Sequence, residues 1–334
     1  MKRAGNLFES IYDTGNIYLA FWKAAKGKRN RNEVIAFAKN FQTNVRKLRL
    51  AIKTKDLDIG NYHFFQVCDP KKRRICAAAF PERVLHHAVM NICEPVLDAY
   101  AICHSYACRK GKGTLAAVRQ TRKFAGKYAW FLKLDIRKYF DSIDHYVLQK
   151  FLSGRIKDKD VMALFAAIFA TYNVEADKGL PIGNLISQHM ANFYLGKFDH
   201  WIKEDRRIKG FLRYMDDFVL FAHEKETLKQ ELRAIREFLR TTLKLELKSN
   251  IQLNRCSHGL PFLGCRTFPE TTKLSNRSKH RFIAKYRAFE QNMVNGRWSE
   301  QEYVRHMEPL VGFTKMANAA AFRSNTIKRF RVSQ

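Results

Sequence analysis

The sequence predicts an α+β fold with helical segments at both ends. Short apolar runs typical of strands occur at 64–67, 74–77 and 130–134, and two more flank an acidic pair at 216–217. Between them lie longer segments in which apolar residues recur with a period near 3.6, as they do in amphipathic helices. Strands and helices mixed in this order, without an internal repeat, favour an α+β core with helical additions.

Helices are predicted wherever apolar residues keep this period. Residues 1–60 are expected to be helical and basic, with one amphipathic helix over 32–52. Further helices are predicted from Pro81 to Pro95, over 161–174 and 225–243, and from Lys279 onward.

Two hairpins and one further strand are predicted. The runs 64–67 and 74–77 flank Asp69-Pro70-Lys71-Lys72-Arg73, which indicates a β-hairpin with a basic tip. The runs 211–214 and 218–221 flank Met215-Asp216-Asp217, which indicates a hairpin whose turn carries two acids. Residues 243–253 alternate between apolar and polar side chains and are also expected to form a strand.

The charge balance points to a polyanionic partner. The 334 residues include 61 Lys and Arg against 31 Asp and Glu, a formal net charge of +30. Nucleic acid is the commonest partner of so basic a chain, although a basic, well-solvated surface alone stays open as an alternative. The region 135–269 holds 17 of the 31 acids, so both ends are basic while the middle collects carboxylates.

No membrane association is expected. The most apolar segment, 161–174, is shorter than the roughly 18 residues that a membrane-spanning helix needs, and no signal-peptide pattern opens the chain. The seven cysteines form no Cys-x-x-Cys pair, so neither a zinc site nor a disulfide framework is indicated. These features predict a reducing, cytoplasmic location.

Three acids at strand ends carry the chemical prediction. Asp135 closes an apolar strand, although strands disfavour Asp, and Asp216 and Asp217 stand in a hairpin turn. A solvated turn alone would explain the pair. With Asp135 added, carboxylates can converge on one sheet, where they repel unless a cation joins them. Two Mg²⁺ ions, for which Mn²⁺ can substitute, would serve an in-line phosphoryl displacement.

These residues resemble those of a known family. Arg213-Tyr214-Met215-Asp216-Asp217 resembles the Tyr-x-Asp-Asp signature of reverse transcriptases. Residues 132–145 resemble the first metal-binding motif of bacterial group II intron and related enzymes. The likeness extends to the fingers motif, the helix after it, the stretch leading into the palm and the primer grip, at 71–75, 81–88, 105–111 and 260–264.

The resemblance implies a right-hand polymerase fold with fingers and palm, consisting of an antiparallel palm sheet plus helices, and a small helical thumb. The implied divisions are a basic helical N-terminal extension over 1–60, a fingers and palm reverse transcriptase domain over 61–268, and the thumb over 269–334. The implied activity is RNA-directed DNA polymerisation, and the implied partners are an RNA template, the RNA–DNA duplex and dNTPs.

The family's roles carry over to individual residues. Asp135, Asp216 and Asp217 would be catalytic metal ligands, with the backbone of Ile136 beside them. Phe140 lies where the family places a ring that excludes a ribose 2′-hydroxyl. The residues implied to contact the nucleotide are Lys71, Arg73, Ile136, Phe140, Ile182 and Gly183. Those implied to contact primer or template are Tyr214, Met215, Gln188, Phe262, Leu263 and Gly264.

One segment indicates which subgroup of the family the chain resembles. Most relatives have Gln-Gly-x-x-x-Ser-Pro where this chain has Ile182-Gly183 followed by Ser187-Gln188. This form resembles the reverse transcriptases of diversity-generating retroelements. That resemblance implies copying of a template-repeat RNA into cDNA, with frequent misincorporation opposite adenine, and a small basic accessory variability protein as partner.

Three alternatives remain open. The chain could be the reverse transcriptase of a retron, a group II intron or a phage-defence system. It could be a non-catalytic nucleic-acid-binding module on a polymerase fold, which the presence of all three acids disfavours. It could also be an RNA-templated RNA polymerase, which Phe140 disfavours.

Overall fold

A computed structural model of the chain describes residues 3–68 and 72–331. Lys71, one of the predicted nucleotide contacts, therefore lies outside the described residues. The chain divides into two compact units. The first consists of Met1–Cys108, Ile136–Arg206 and Ala234–Lys248, and the second of Arg109–Asp135, Arg207–Arg233 and Ser249–Gln334. The division into 1–60, 61–268 and 269–334 stays a prediction.

The described helices and strands come in separate runs, and the paired strands are antiparallel, as in an α+β fold. The helices are α1 (Phe8–Ile11), α2 (Thr14–Ala25), α3 (Asn32–Lys39), α4 (Phe41–Thr54), α5 (Phe80–Asp98), α6 (Thr114–Lys127), α7 (His145–Ser153), α8 (Lys159–Ala170), α9 (Leu185–Tyr194), α10 (Gly196–His200), α11 (Lys225–Thr242), α12 (Asn276–Val294), α13 (Glu300–Thr314) and α14 (Ala320–Phe330). The strands are β1 (Tyr62–Cys68), β2 (Lys72–Ala78), β3 (Trp130–Asp135), β4 (Gly210–Tyr214), β5 (Asp217–Ala222), β6 (Gln252–Arg255), β7 (Leu260–Phe262), β8 (Cys265–Thr267) and β9 (Thr272–Leu274).

In the first unit, the N-terminal helices pack on α5. The rings of Phe21 in α2 and Phe37 in α3 lie 5.9 and 5.4 Å from the ring of Phe80 at the start of α5. The expected helical character of this region is confirmed, but the single helix over 32–52 is wrong. Asn40, with φ −117° and ψ 43°, separates α3 from α4, and asparagine is among the residues that favour helix starts over helix interiors.

The first predicted hairpin is present in the same unit. β1 and β2 pair antiparallel from Tyr62 opposite Ala78 to Cys68 opposite Lys72. Arg74 places its guanidinium 4.1 Å from the ring centre of Phe64, a cation–π contact between the two strands. Aromatic and β-branched residues favour β1 as a strand, whereas in β2 only Ile75 is of this kind.

The second unit contains the sheet that positions the acids. Its strand order is β4-β5-β3-β6, and every neighbouring pair is antiparallel. Helix α6 packs against this sheet, with the ring of Phe124 5.4 Å from that of Phe221. The predicted strand over 130–134 and the predicted acidic hairpin are both confirmed.

The rest of the second unit is a small sheet, β7-β8-β9, followed by helices α12, α13 and α14. Helix α13 begins with a capping box, in which the side chain of Ser299 accepts from Glu302 N and the Glu302 carboxylate accepts from Ser299 N. The prediction of helices from Lys279 onward is confirmed by α12, α13 and α14. These helices could be predicted because capping and apolar periodicity are local features of the sequence.

The strand predicted over 243–253 is wrong for most of its length, since only its last two residues belong to a strand, β6, and Leu247 forms an isolated bridge. Leu243 and Leu245 are buried, but Lys244 between them has a left-handed φ of +51° that interrupts an extended chain. The hydroxyl of Tyr194 donates to the carbonyl of Leu243 at 2.8 Å. The alternation marks a loop anchored by two leucines.

The apolar segment 161–174 forms most of α8, which ends at Ala170 and packs against α7. Over the residues described, no helix combines the length and the apolar character that a membrane crossing requires.

Candidate active site

Asp135 and Asp217 lie opposite each other on neighbouring strands. Asp135 is the last residue of β3, Asp217 is the first residue of β5, and the two are partners in the antiparallel register. Tyr214 of β4 also pairs with Asp217, which leaves Met215 and Asp216 as the turn. The sheet therefore brings all three predicted acids to one of its ends.

The turn is held in an uncommon conformation. Met215 has a φ of +56°, which costs a non-glycine residue roughly 1 kcal/mol or more. The guanidinium of Arg213, whose side chain is fully buried, donates to the carbonyl of Met215 at 2.9 Å. This contact offsets the strain and fixes the position of Asp216.

Asp217 has a perturbed carboxyl group. Its pKa is raised to about 7, chiefly by burial; the negative charges of Asp135 and Asp216 act in the same direction, and the Lys133 ammonium acts in the opposite one. Lys133 Nζ lies 3.2 Å from Asp217 Oδ2. The other oxygen, Oδ1, is buried and accepts no hydrogen bond from any described residue. Such an oxygen favours a cation.

The donor chemistry of these acids fits a hard divalent cation, which prefers carboxylate oxygens. Within the described part of the chain, no group of three or more His, Cys, Asp or Glu side chains has the arrangement of a complete metal site. The fit rests on the buried Oδ1 of Asp217 and on the two neighbouring carboxylates. The assignment of Asp135, Asp216, Asp217 and the Ile136 backbone as metal ligands stays a prediction.

Two contacts at this site were not predicted. Lys133 stands two residues before Asp135 in β3, and residues two apart share a sheet face, so strand alternation could have indicated it. Thr114, the first residue of α6, hydrogen-bonds through Oγ1 to the hydroxyl of Tyr214 at 3.2 Å. No local pattern could have revealed this second contact, because the two residues are far apart in sequence.

The predicted primer-grip residues form a second tight turn. Phe262 is buried and pairs with Cys265, so Leu263 and Gly264 are the turn residues between β7 and β8. Their φ values of +49° and +81° match a type I′ turn. The carbonyl of Gly264 accepts from Ser278 Oγ at 2.7 Å, which ties the turn to the start of α12.

In the first unit, the segment around Ile182 is hydrogen-bonded to the β1–β2 hairpin. Cys76 N of β2 donates to the carbonyl of Ile182 at 2.7 Å. Leu180 N donates to the carbonyl of Phe140 at 2.8 Å. The structure thus brings Phe140, Ile182 and the hairpin together, as the nucleotide prediction requires.

Asn184 is a further residue of this segment that was not predicted. Its Oδ1 accepts from Ala78 N at 3.3 Å, and its Nδ2 is buried without a hydrogen-bond partner among the described residues. Its sequence signal is weak, because an asparagine after glycine usually indicates only a turn.

The other predicted residues of the first unit have mixed settings. Arg73 is exposed on β2, two positions from Ile75 and on the same strand face. Ile136 is fully buried and bridges to Leu247. Gln188 is exposed on α9, where its Oε1 accepts from Cys108 Sγ at 3.7 Å.

Gly183 is required by its surroundings. Its φ is +121°, a conformation that side-chain-bearing residues rarely adopt. A Cβ atom placed there would lie 2.7 Å from Ile75 Cγ2 and 2.9 Å from the backbone oxygen of Cys76. The close approach of β2 to this segment therefore depends on glycine.

Comparison with known families gives a match over the centre of the chain. The family model for reverse transcriptase (RNA-dependent DNA polymerase) matches residues 67–266, which include strands β2–β7 in full and all three acids. This match covers more than half of the chain.

Curated relatives agree with the match at low identity. The chain is 25% identical to Protein YkfC of Escherichia coli (strain K12), with 59% of this chain and 63% of that protein covered. It is also 25% identical to the group II intron-encoded protein LtrA of Lactococcus lactis subsp. cremoris, with 40% of this chain and 23% of that protein covered. The chain thus spans less than two thirds of the length of these relatives.

A solved structure supports the fold. The apo telomerase from Candida tropicalis matches with a TM-score of 0.51 at 10% identity, over 81% of this chain and 66% of that one. At this identity the likeness concerns the fold alone. The predicted right-hand polymerase fold, with its mixture of helices and antiparallel sheet, is confirmed.

Proposed function

The chain belongs to the reverse transcriptase (RNA-dependent DNA polymerase) family, and from this premise we propose that it extends a DNA primer by copying an RNA template. The observation that carries the proposal is the register of the sheet, which sets Asp135 opposite Asp217 and places Asp216 in the adjoining turn. Half-buried acids at the end of a polymerase sheet have a direct use in phosphoryl transfer.

The proposed reaction is an in-line displacement. The primer 3′-hydroxyl forms a bond to the α-phosphorus of a dNTP, the bond to the bridging oxygen breaks, and pyrophosphate leaves. Asp135, Asp216 and Asp217, with the Ile136 backbone, would hold two Mg²⁺ ions. Bound there, the ions would lower the pKa of the attacking hydroxyl and neutralise charge on the triphosphate.

The chain's own residues orient these groups. Lys133, 3.2 Å from Asp217, holds that carboxylate in place and partly offsets the repulsion among the three acids. Arg213 fixes the turn that presents Asp216 through its bond to the Met215 carbonyl. The Tyr214 hydroxyl is positioned by Thr114.

Nucleotide selection is assigned to the first unit. Arg73 lies on the strand face of Ile75, the side chain closest to Gly183, and an arginine fork suits phosphate oxygens. Arg74 is engaged with Phe64, which favours Arg73 for the phosphate contact. The carbonyl of Phe140 accepts from Leu180 N, and this anchored backbone supports the proposal that the Phe140 ring excludes a 2′-hydroxyl.

Primer extension tests the proposal. With a DNA primer on an RNA template and Mg²⁺, the chain is expected to incorporate dNTPs and to incorporate ribonucleotides much more slowly because of Phe140. Asp216→Ala should give no product. Absence of extension by the unaltered chain would overturn the polymerase assignment, and equal use of ribonucleotides would favour an RNA-templated RNA polymerase.

Within the family, we assign the chain to the reverse transcriptases of diversity-generating retroelements. The support is the pair of departures at Ile182 and Gln188 from the Gln-Gly-x-x-x-Ser-Pro form. This subgroup copies a template-repeat RNA and works with a small basic accessory protein, which we propose as a partner. A retron, group II intron or phage-defence enzyme is the alternative.

Ile182→Gln is expected to lower misincorporation opposite template adenine several-fold. Ile182 is half-buried beside the hairpin, where an apolar side chain can only pack, whereas a hydrogen-bonding side chain discriminates more strongly between correct and incorrect pairs. Sequencing of cDNA measures the error rate. Ile182→Val, which keeps the apolar contact, serves as the control, and an unchanged error rate in the Gln variant would contradict the role of Ile182.

A further inference from the structure

A cavity of about 550 Å³ lies in the second unit, beside the polymerase sheet but apart from its acids. One wall is α6, and the others are the turn at 270–272 and the loop 315–318 between α13 and α14. Its volume falls within the range typical of ligand pockets. We call it the α6 groove.

The groove is built into the fold. Asn318 N donates to the carbonyl of Thr272 at 2.7 Å, which joins two of its walls. Beneath it, Val118 of α6 packs with buried Cys265, Leu274 and Ala319. Because these contacts are internal, the walls keep their spacing without a ligand.

The groove concentrates positive charge. Arg119, Arg122 and Lys123 stand at spacings of three and four on α6, which puts them on one helix face. Lys315 adds a fourth cation from the opposite wall, and Glu270 is the one acid among the lining residues. None of the four cations forms an ion pair with a carboxylate in the described residues.

This arrangement costs free energy in the absence of an anion, since like charges on neighbouring helix turns repel. Three other cations lie beside a carboxylate: Lys229 beside Glu226, Arg240 beside Glu237, and Lys55 beside Asp160. The four groove cations have no such carboxylate among the described residues, so a bound anion would relieve their repulsion.

We propose that the α6 groove binds a single-stranded segment of RNA, outside the part of the template that is being copied. Arg119, Arg122 and Lys123 would contact successive phosphates. Leu115, which is 37% exposed, and Met316 offer an apolar wall to an unstacked base. Glu270 could accept a hydrogen bond from a ribose 2′-hydroxyl, a group that DNA lacks.

The proposal rests on the proposed function for its choice of RNA over an acidic polypeptide. A polymerase already holding an RNA template meets a second stretch of the same molecule at high effective concentration. A concave, partly apolar groove also suits splayed single-stranded nucleotides better than the regular surface of a duplex.

The test compares two variants with equal net charge. Arg119→Gln/Arg122→Gln/Lys123→Gln removes three groove cations, and Lys55→Gln/Lys229→Gln/Arg240→Gln removes three cations that are already paired. Each lowers the formal charge from +30 by three. Binding of a single-stranded oligouridylate, of the matching oligodeoxyuridylate and of polyglutamate is measured over a range of salt concentrations.

The groove variant is expected to bind oligouridylate at least about tenfold more weakly at physiological salt. The plot of log association constant against log salt concentration should become less steep by about 2, because three phosphate contacts are lost. The control variant should keep the wild-type slope. For the wild type, oligouridylate should bind more tightly than oligodeoxyuridylate.

Equal losses in the two variants would overturn the proposal, since net charge alone would then explain them. Loss of polyglutamate binding with oligouridylate binding unchanged would also overturn it and would indicate an acidic protein partner. Extension of a short primer–template by the groove variant should match the wild type. If the wild type extends no primer, the proposed function fails, while the binding comparison remains interpretable.

Discussion

Asp217→Asn is expected to reduce the rate of nucleotide addition at least about a thousandfold. Asp217 is the acid at which the sheet register, the ion pair with Lys133 and the raised pKa coincide. An amide keeps the shape of the side chain but carries no charge, so it binds a divalent cation far more weakly. Single-nucleotide extension on an RNA template measures the loss.

The same variant should not be less stable than the wild type without metal. The buried Oδ1 of Asp217 is charged at pH 8 at a cost, because the group's pKa is raised to about 7. Asparagine removes that charge, and Lys133, which keeps 19% of its side chain exposed, can remain hydrated. We therefore expect a thermal midpoint at pH 8 that is unchanged or a few degrees higher.

Thermal unfolding with and without Mg²⁺ distinguishes a loss of metal binding from a loss of folding in Asp217→Asn. Mg²⁺ should raise the thermal midpoint of the wild type, since a ligand that binds the native state stabilises it, and should not raise that of Asp217→Asn. Asp205→Asn, at an exposed aspartate, is the matched control and should behave as the wild type does. Residual activity near the control's level would exclude Asp217 from the reaction.

The positions of the acids could be predicted because strand periodicity is local. The mostly apolar run 130–134 predicts the strand that ends at Asp135. The apolar runs on both sides of Asp216 and Asp217 predict the other two strands, and neither prediction needs tertiary information. Once three strands share a sheet, acids at their ends come together. The same periodicity places Lys133 on the sheet face of Asp135, and therefore beside Asp217.

The error at 243–253 has the opposite cause. Alternation of leucines predicts a strand only if the chain is extended, and Lys244 with its left-handed φ prevents that. The burial of Leu243 and Leu245 depends on partners such as Tyr194, which tertiary packing supplies. The α6 groove was unpredictable for a related reason, because Lys315 and Arg119 are brought together only by the fold.

Gly183→Ala adds only one methyl group but should impair nucleotide binding strongly. A methyl group at this position would lie 2.9 Å from the backbone oxygen of Cys76, which cannot rotate away as a side chain can. Either β2 or the 182–184 segment must shift, and the bond from Cys76 N to the Ile182 carbonyl is the contact at risk. Because Arg73 lies on β2, the shift would also displace the proposed phosphate contact.

We expect Gly183→Ala to lose roughly 2 kcal/mol or more of stability, of which about 1 kcal/mol is backbone strain, and to raise the KM for dNTPs at least about tenfold. Gly27→Ala is the control for strain, because Gly27 also has a positive φ, +71°, but nothing within 4 Å of an added Cβ. Thermal unfolding and single-nucleotide extension kinetics measure both effects. If the two variants show the same stability and the same KM, crowding at Gly183 does not matter, and the contact between β2 and the Ile182 segment does not position the nucleotide.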